Sequence, residues 1–197
     1  MLLPSANSAS IVFDHMKSPL HPQRSLEKIE IEPGLHAWKC PVSHGLWISL
    51  TSYTRWQQSM AVDVPANAEV PEVMSDADKP AMFCPESGVI LQRFRVGKGA
   101  AFHIERSPVT GGIWLDQGEW EAVKALGLHN EIHVIFTASY QSRLRREASE
   151  AKLEQLFGEK VGTENFTKLK EITDWLNASG HGREMLNYLI NEVGRGS

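Results

Sequence analysis

One stretch of this sequence repeats itself without a gap. His36-Ala37-Trp38-Lys39-Cys40-Pro41-Val42-Ser43-His44-Gly45-Leu46-Trp47-Ile48 lies over His103-Ile104-Glu105-Arg106-Ser107-Pro108-Val109-Thr110-Gly111-Gly112-Ile113-Trp114-Leu115 at a constant offset. His, Pro, Val, Gly and Trp coincide, and the Lys/Arg, Ser/Thr and Leu/Ile exchanges are chemically close. Upstream, Ser18-Pro19-Leu20-His21 falls within one residue of the place that Cys84-Pro85-Glu86-Ser87 holds in the second copy. Each copy reads as a turn, a β-prone stretch, a second turn and an apolar strand bearing a tryptophan. The pattern predicts a duplicated β unit.

Composition narrows the setting. A chain of 197 residues with 42% hydrophobic and 22% charged residues is globular, which excludes wholesale disorder. Its 20 Lys+Arg against 24 Asp+Glu give a net charge of −4, which argues against a large nucleic-acid footprint. No apolar run approaches the ~20 residues that span a bilayer. The start, Met1-Leu2-Leu3-Pro4-Ser5-Ala6-Asn7, lacks the basic region and apolar core of a signal peptide, so a cytoplasmic location is expected. The two cysteines, Cys40 and Cys84, are then expected to be reduced thiols.

Each cysteine precedes a proline, as Cys40-Pro41-Val42-Ser43 and Cys84-Pro85-Glu86-Ser87, the pattern of a zinc knuckle whose second sulfur has become an oxygen. Cys84-Pro85-Glu86-Ser87-Gly88, followed by Ser107-Pro108-Val109-Thr110-Gly111-Gly112-Ile113-Trp114-Leu115-Asp116-Gln117-Gly118-Glu119, resembles the transcription factor IIB-type zinc-finger (zinc-ribbon) family. That family pairs Cys-Pro-x-Cys-Gly with Cys-x-x-Cys-Gly-Gly-x-Trp-Leu-Asp-x-Gly-Glu. The resemblance covers residues 84–126, and the copy at 18–56 shares it more weakly, through the repeat. It implies a pair of small ribbons, with Cys84, Ser87, Ser107 and Thr110 at the ligand positions of the second copy.

Structural zinc takes four Cys or His donors, and neutral Ser and Thr hydroxyls do not replace them. The resemblance therefore implies a second copy without metal. In the first copy the matched positions are Ser18, His21, Cys40 and Ser43. A site of His21, Cys40 and His44, completed by His36 or water, fits zinc chemistry, though no regular spacing marks it. The competing reading is imidazoles hydrogen-bonded within turns. No cofactor is expected.

A ribbon without metal needs another source of stability, since the metal normally supplies much of the folding free energy. Trp38, Trp47, Trp56, Phe94, Phe102, Trp114 and Trp120 are the candidates, and they predict a core shared by both copies. Trp47 and Trp114, at matching positions, should be buried equivalently. Asp116 and Glu119 have the spacing of a capping box that opens a helix ending at Gly127.

The expected architecture is α+β: a first ribbon copy over 1–59, an acidic Pro-containing connector over 60–82, a second copy over 83–127 and a helical region over 128–197. In the last region a long helix is expected to begin near His129 and close before Gly158, with Arg143/Glu147 and Arg146/Glu150 as i,i+4 pairs. Two further helices should carry apolar stripes, Phe166, Leu169, Ile172 and Leu176 on one, Met185, Leu186, Leu189, Ile190 and Val193 on the other.

No nucleophile, base and binding motif combine into an enzyme reading; Gly97-Lys98-Gly99 lacks the spacing of a phosphate loop. Two classes remain. One is a protein-binding or scaffold module that meets a partner, or a second copy, through the C-terminal helices. The other is a nucleic-acid-associated factor, suggested by the resemblance and by Arg143, Arg145, Arg146 and Lys152. Glu147, Glu150 and Glu154 interleave that cluster and favour the first class.

Overall fold

The computed structural model describes residues 16–59, 80–97 and 102–195. Most of the expected connector, residues 60–79, lies outside them. The fold is α+β: an antiparallel six-stranded sheet followed by helices.

Strands β1 (Glu27–Glu32), β2 (Leu35–Lys39) and β3 (Leu46–Ile48) form one meander, and β4 (Gln92–Arg95), β5 (His103–Arg106) and β6 (Ile113–Leu115) form a second. The meanders join through β3 and β6, giving the order β1-β2-β3-β6-β5-β4. At the junction Trp47 stands opposite Trp114, flanked by Leu46 opposite Leu115 and Ile48 opposite Ile113. Because Trp47 and Trp114 are repeat equivalents, each copy pairs with the other through the same strand, as the two partners of an isologous dimer do. A pseudo-two-fold axis passes between the two tryptophans. The junction also removes one open sheet edge from each copy.

Side-chain alternation divides this sheet into two buried faces. Leu46, Ile48, Ile113 and Leu115 share one face with Leu35, Ala37 and Ile104, all buried. Helices α1 (Leu50–Ser59), α2 (Glu119–Ala125) and α3 (Ile132–Ile135) supply buried Tyr53, Trp56, Trp120, Val123, Ile132 and Ile135. Trp56 lies 5.8 Å from Trp120 and 5.9 Å from Tyr53, ring centre to ring centre. On the opposite face Trp47 and Trp114 form one cluster with Met16, Leu26, Cys40, Met82, Cys84 and Leu91, and half-buried Trp38 packs against it. That cluster draws on both copies, so the core is shared, as the aromatic content requires.

Helix α1 is not legible from propensity, because Leu50-Thr51-Ser52-Tyr53-Thr54 is rich in hydroxyl, β-branched and aromatic residues. It forms because Tyr53 and Trp56 bury their rings, and because the Ser49 hydroxyl accepts the Ser52 N–H at 3.2 Å as a cap. Helix α2 follows the second Trp-bearing strand as α1 follows the first.

The expected long helix from His129 to before Gly158 is corrected at both ends. Residues 132–135 form the separate helix α3, and α4 spans Ala138–Val161. Thr137 separates the two, its hydroxyl accepting the Tyr140 N–H at 3.3 Å. Helix α4 runs through Gly158 and stops at Gly162, whose φ of +83° suits glycine. Helices α5 (Thr163–Ala178) and α6 (Gly182–Arg195) complete the chain. No helix among the described residues is long and apolar enough to cross a membrane.

The chain divides into two compact bodies between Ser142 and Arg143. The boundary lies later than residue 128 because Leu128, Ile132, Ile135 and Tyr140 are buried in the N-terminal body with the sheet. In the C-terminal body the pairs Arg143–Glu147 and Arg146–Glu150 form at 3.6 and 3.7 Å. Phe157 meets Phe166 at 6.2 Å, and Lys170 reaches Glu154 at 2.7 Å. Helix α5 nevertheless buries no side chain. Leu156, Trp175, Ile190 and Val193 are 54%, 58%, 61% and 73% exposed.

Candidate functional site

Three turns of the two copies repeat one hydrogen-bond pattern. In β2–β3 the Cys40 N–H donates to Gly45 O and the His44 N–H to Cys40 O; in β5–β6 the Ser107 N–H donates to Gly112 O and the Gly111 N–H to Ser107 O. At the turn before β4 the Cys84 N–H donates to Val89 O and the Gly88 N–H to Cys84 O. Gly88 and Gly111 adopt φ of +68° and +72°, and His44 holds the matching place at +57°, uncommon for a residue with a Cβ.

These turns gather Cys84, Ser87, Ser107 and Thr110 of the second copy into one cluster. Cys84 Sγ lies 3.6 Å from Thr110 Oγ1, accepts the Ser87 N–H at 3.4 Å and hydrogen-bonds the Ser87 and Ser107 side chains. The Ser107 hydroxyl in turn accepts the Thr110 N–H at 3.1 Å. In the first copy Cys40 Sγ accepts the Ser43 N–H at 3.4 Å and hydrogen-bonds Ser18 and Ser43. Burial pushes both thiols up, but hydroxyl and backbone donors outweigh it and leave each below the ordinary thiol range. One thiol with three hydroxyls does not fit zinc, which needs thiolate or imidazole donors.

The other candidate ligands are placed apart in role. His21 is half-buried and its N–H donates to the Ser18 hydroxyl at 3.2 Å. His44 is exposed, while Cys40 is fully buried. Among the described residues no three His, Cys, Asp or Glu side chains come together as a metal-holding group, so His21, Cys40 and His44 are not gathered into one.

Trp47 and Trp114 are both 0% exposed. The Trp47 Nε1–H donates to Glu86 at 3.2 Å, tying the first copy to a turn of the second, and the Trp114 Nε1–H donates to Asp116 at 2.8 Å. Each indole lies across the backbone of a turn glycine from the other copy, Trp114 over Gly45 and Trp47 over Gly112. The expected capping box forms only in part. The Glu119 carboxylate accepts the Asp116 N–H at 2.7 Å, but Gly118 holds the helix N-cap position and the Asp116 carboxylate serves Trp114.

Two features went unread in the sequence. His129 is buried, with neither ring nitrogen hydrogen-bonded; burial and the nearby Lys124 charge hold its pKa below the usual histidine value, with Glu32 opposing. Its carbonyl accepts the Tyr53 hydroxyl at 2.8 Å. The second is Arg106, repeat equivalent of Lys39, which faces a cleft beside α1 and α3. The alignment of Lys39 with Arg106 was the signal that could have marked it.

No protein-family model matches the chain, and no curated protein or solved structure matches it.

Proposed function

We propose that this chain is a non-catalytic protein-binding or scaffold module of the cytoplasm, in which two metal-depleted zinc-ribbon-like copies form a rigid platform and the C-terminal helices meet a protein partner or a second copy. The reading rests on one observation above all: the C-terminal body leaves Leu156, Trp175, Ile190 and Val193 more than half exposed while α5 buries nothing. Short helices draw most of their stability from packing an apolar face, so these faces call for a protein surface to cover them.

The alternative, a nucleic-acid-associated factor, draws on Arg143, Arg145, Arg146 and Lys152. Arg143 and Arg146 are answered within α4 by Glu147 and Glu150, which weakens a phosphate track. Deleting residues 180–197 is expected to abolish partner capture or self-association in light-scattering and cross-linking measurements, while circular dichroism shows the sheet intact. DNA and RNA should bind only non-specifically, on the order of 10⁻⁴–10⁻⁶ M at physiological salt. Tight, salt-sensitive, sequence-specific binding that is lost when Arg143, Arg145 and Arg146 become Glu would favour the alternative. Unfolding of the truncated chain would make α6 part of the core.

A further inference from the structure

The pseudo-two-fold axis duplicates a cleft, and the two versions differ in charge. In the first version Arg106, Gly111 and Ile113 face Leu50, Ile132 and Phe136 around a cavity of about 210 Å³. In the second, Lys39, His44 and Leu46 occupy the equivalent places around about 440 Å³, facing Gln117 and Glu121. Gln117 stands where the first cleft has Leu50, and Glu121 places a carboxylate in the same cleft as the Lys39 cation. The Arg106 cleft holds no such carboxylate among its lining residues.

Arg106 is held over the Phe136 ring, its guanidinium carbon 5.0 Å from the ring centre, and makes no ion pair with a described residue. Its surroundings are apolar: Ile113 and Ile132 are 2% and 1% exposed, and Leu50 forms the open lip. The remaining polar groups are committed elsewhere or stand at the rim. The Thr137 hydroxyl donates to Val134 O at 2.7 Å, the Tyr53 hydroxyl donates to His129 O, and His133 is exposed. A guanidinium backed by an aromatic ring in an apolar cleft presents a fork that matches a carboxylate in two parallel hydrogen bonds. The volume is below the ~300–1,000 Å³ of drug-sized sites, which sets the ligand at roughly ten heavy atoms.

From this we infer that the Arg106 cleft binds a small monocarboxylate with a compact apolar body, the carboxylate on the guanidinium and the body against Leu50, Ile113 and Phe136. Every residue lining the cleft belongs to the N-terminal body. Ligand-observed NMR on the full chain tests it, with 3-phenylpropanoate as the acid and 3-phenylpropanamide as its neutral match. The acid is expected to bind saturably and the amide about tenfold more weakly, the usual scale of one charged hydrogen-bonded contact. Arg106→Gln should weaken the acid by a similar factor, Arg106→Lys should do so less, and Lys39→Gln should change nothing. Leu50→Trp, at the exposed lip, should fill the cleft and block the acid without unfolding the chain, which keeps the test decisive if Arg106→Gln is unstable. Absence of saturable acid binding, equal binding of acid and amide, or acid binding that survives both Arg106→Gln and Leu50→Trp would overturn the inference.

Discussion

Trp47→Ala and Trp114→Ala are each expected to lower folding stability by about 3–5 kcal/mol, the range for a large aromatic removed from a core. Both indoles are fully buried, stand opposite one another across the β3–β6 junction and have their N–H groups bonded to Glu86 and Asp116. The pseudo-symmetry adds a sharper expectation: the two losses should be of similar size, because both indoles are fully buried at matching places of the repeat. Urea unfolding of the two variants measures this. A loss below about 0.5 kcal/mol in either would place that tryptophan outside the core and break the equivalence of the copies.

Gly45→Ala and Gly112→Ala should be as damaging, although each adds only one methyl group. A Cβ on Gly45 would fall deep inside the contact distance of the Trp114 indole, and one on Gly112 would do the same to Trp47. Overpacking of a tight core typically costs about 1–3 kcal/mol, and here the obstacle is a rigid, buried ring, so about 3 kcal/mol or more is expected. The pair should be coupled. In a Trp114→Ala background the Gly45→Ala change meets open space, so its cost should fall by at least about 1 kcal/mol. Additive losses would mean that the indole does not lie over the glycine.

The repeat was legible because the same spacing of Pro, Gly and Trp recurs in both copies, and each of these residues has a fixed task. The glycines let an indole approach the backbone, the prolines shape the knuckle turns, and the tryptophans fill the shared cluster. The way in which the copies join was not legible. Either Trp-bearing strand could have packed by its face alone, and only the register of Trp47 on Trp114 reveals edge-to-edge pairing. Helix α1 was hidden for a different reason: tertiary burial of Tyr53 and Trp56 overrides the weak helix propensity of the residues around them.

The C-terminal half divides similarly. The i,i+4 ion pairs of α4 and the boundaries of α5 follow from local pattern. The break at Thr137 and the recruitment of Leu128, Ile132 and Ile135 to the sheet do not, because an apolar run fits a helix or a strand equally well until its partner surface is known. The turns at Cys40 and Cys84 were legible from the proline that follows each cysteine. The closure of Ser and Thr hydroxyls around each thiol was not, since hydroxyl and thiol partners leave no spacing signature.

We propose that the two copies fold as one metal-independent unit around a shared tryptophan core. Metal analysis of the purified chain, paired with thermal unfolding in the presence and absence of a strong chelator, tests this most directly. The expected result is well under one zinc per chain and an unchanged unfolding temperature, because Cys84 is the one thiol among three hydroxyls and Cys40 has Ser18 and Ser43 as its side-chain partners. A stoichiometric zinc that disappears together with the fold in Cys40→Ser would contradict it.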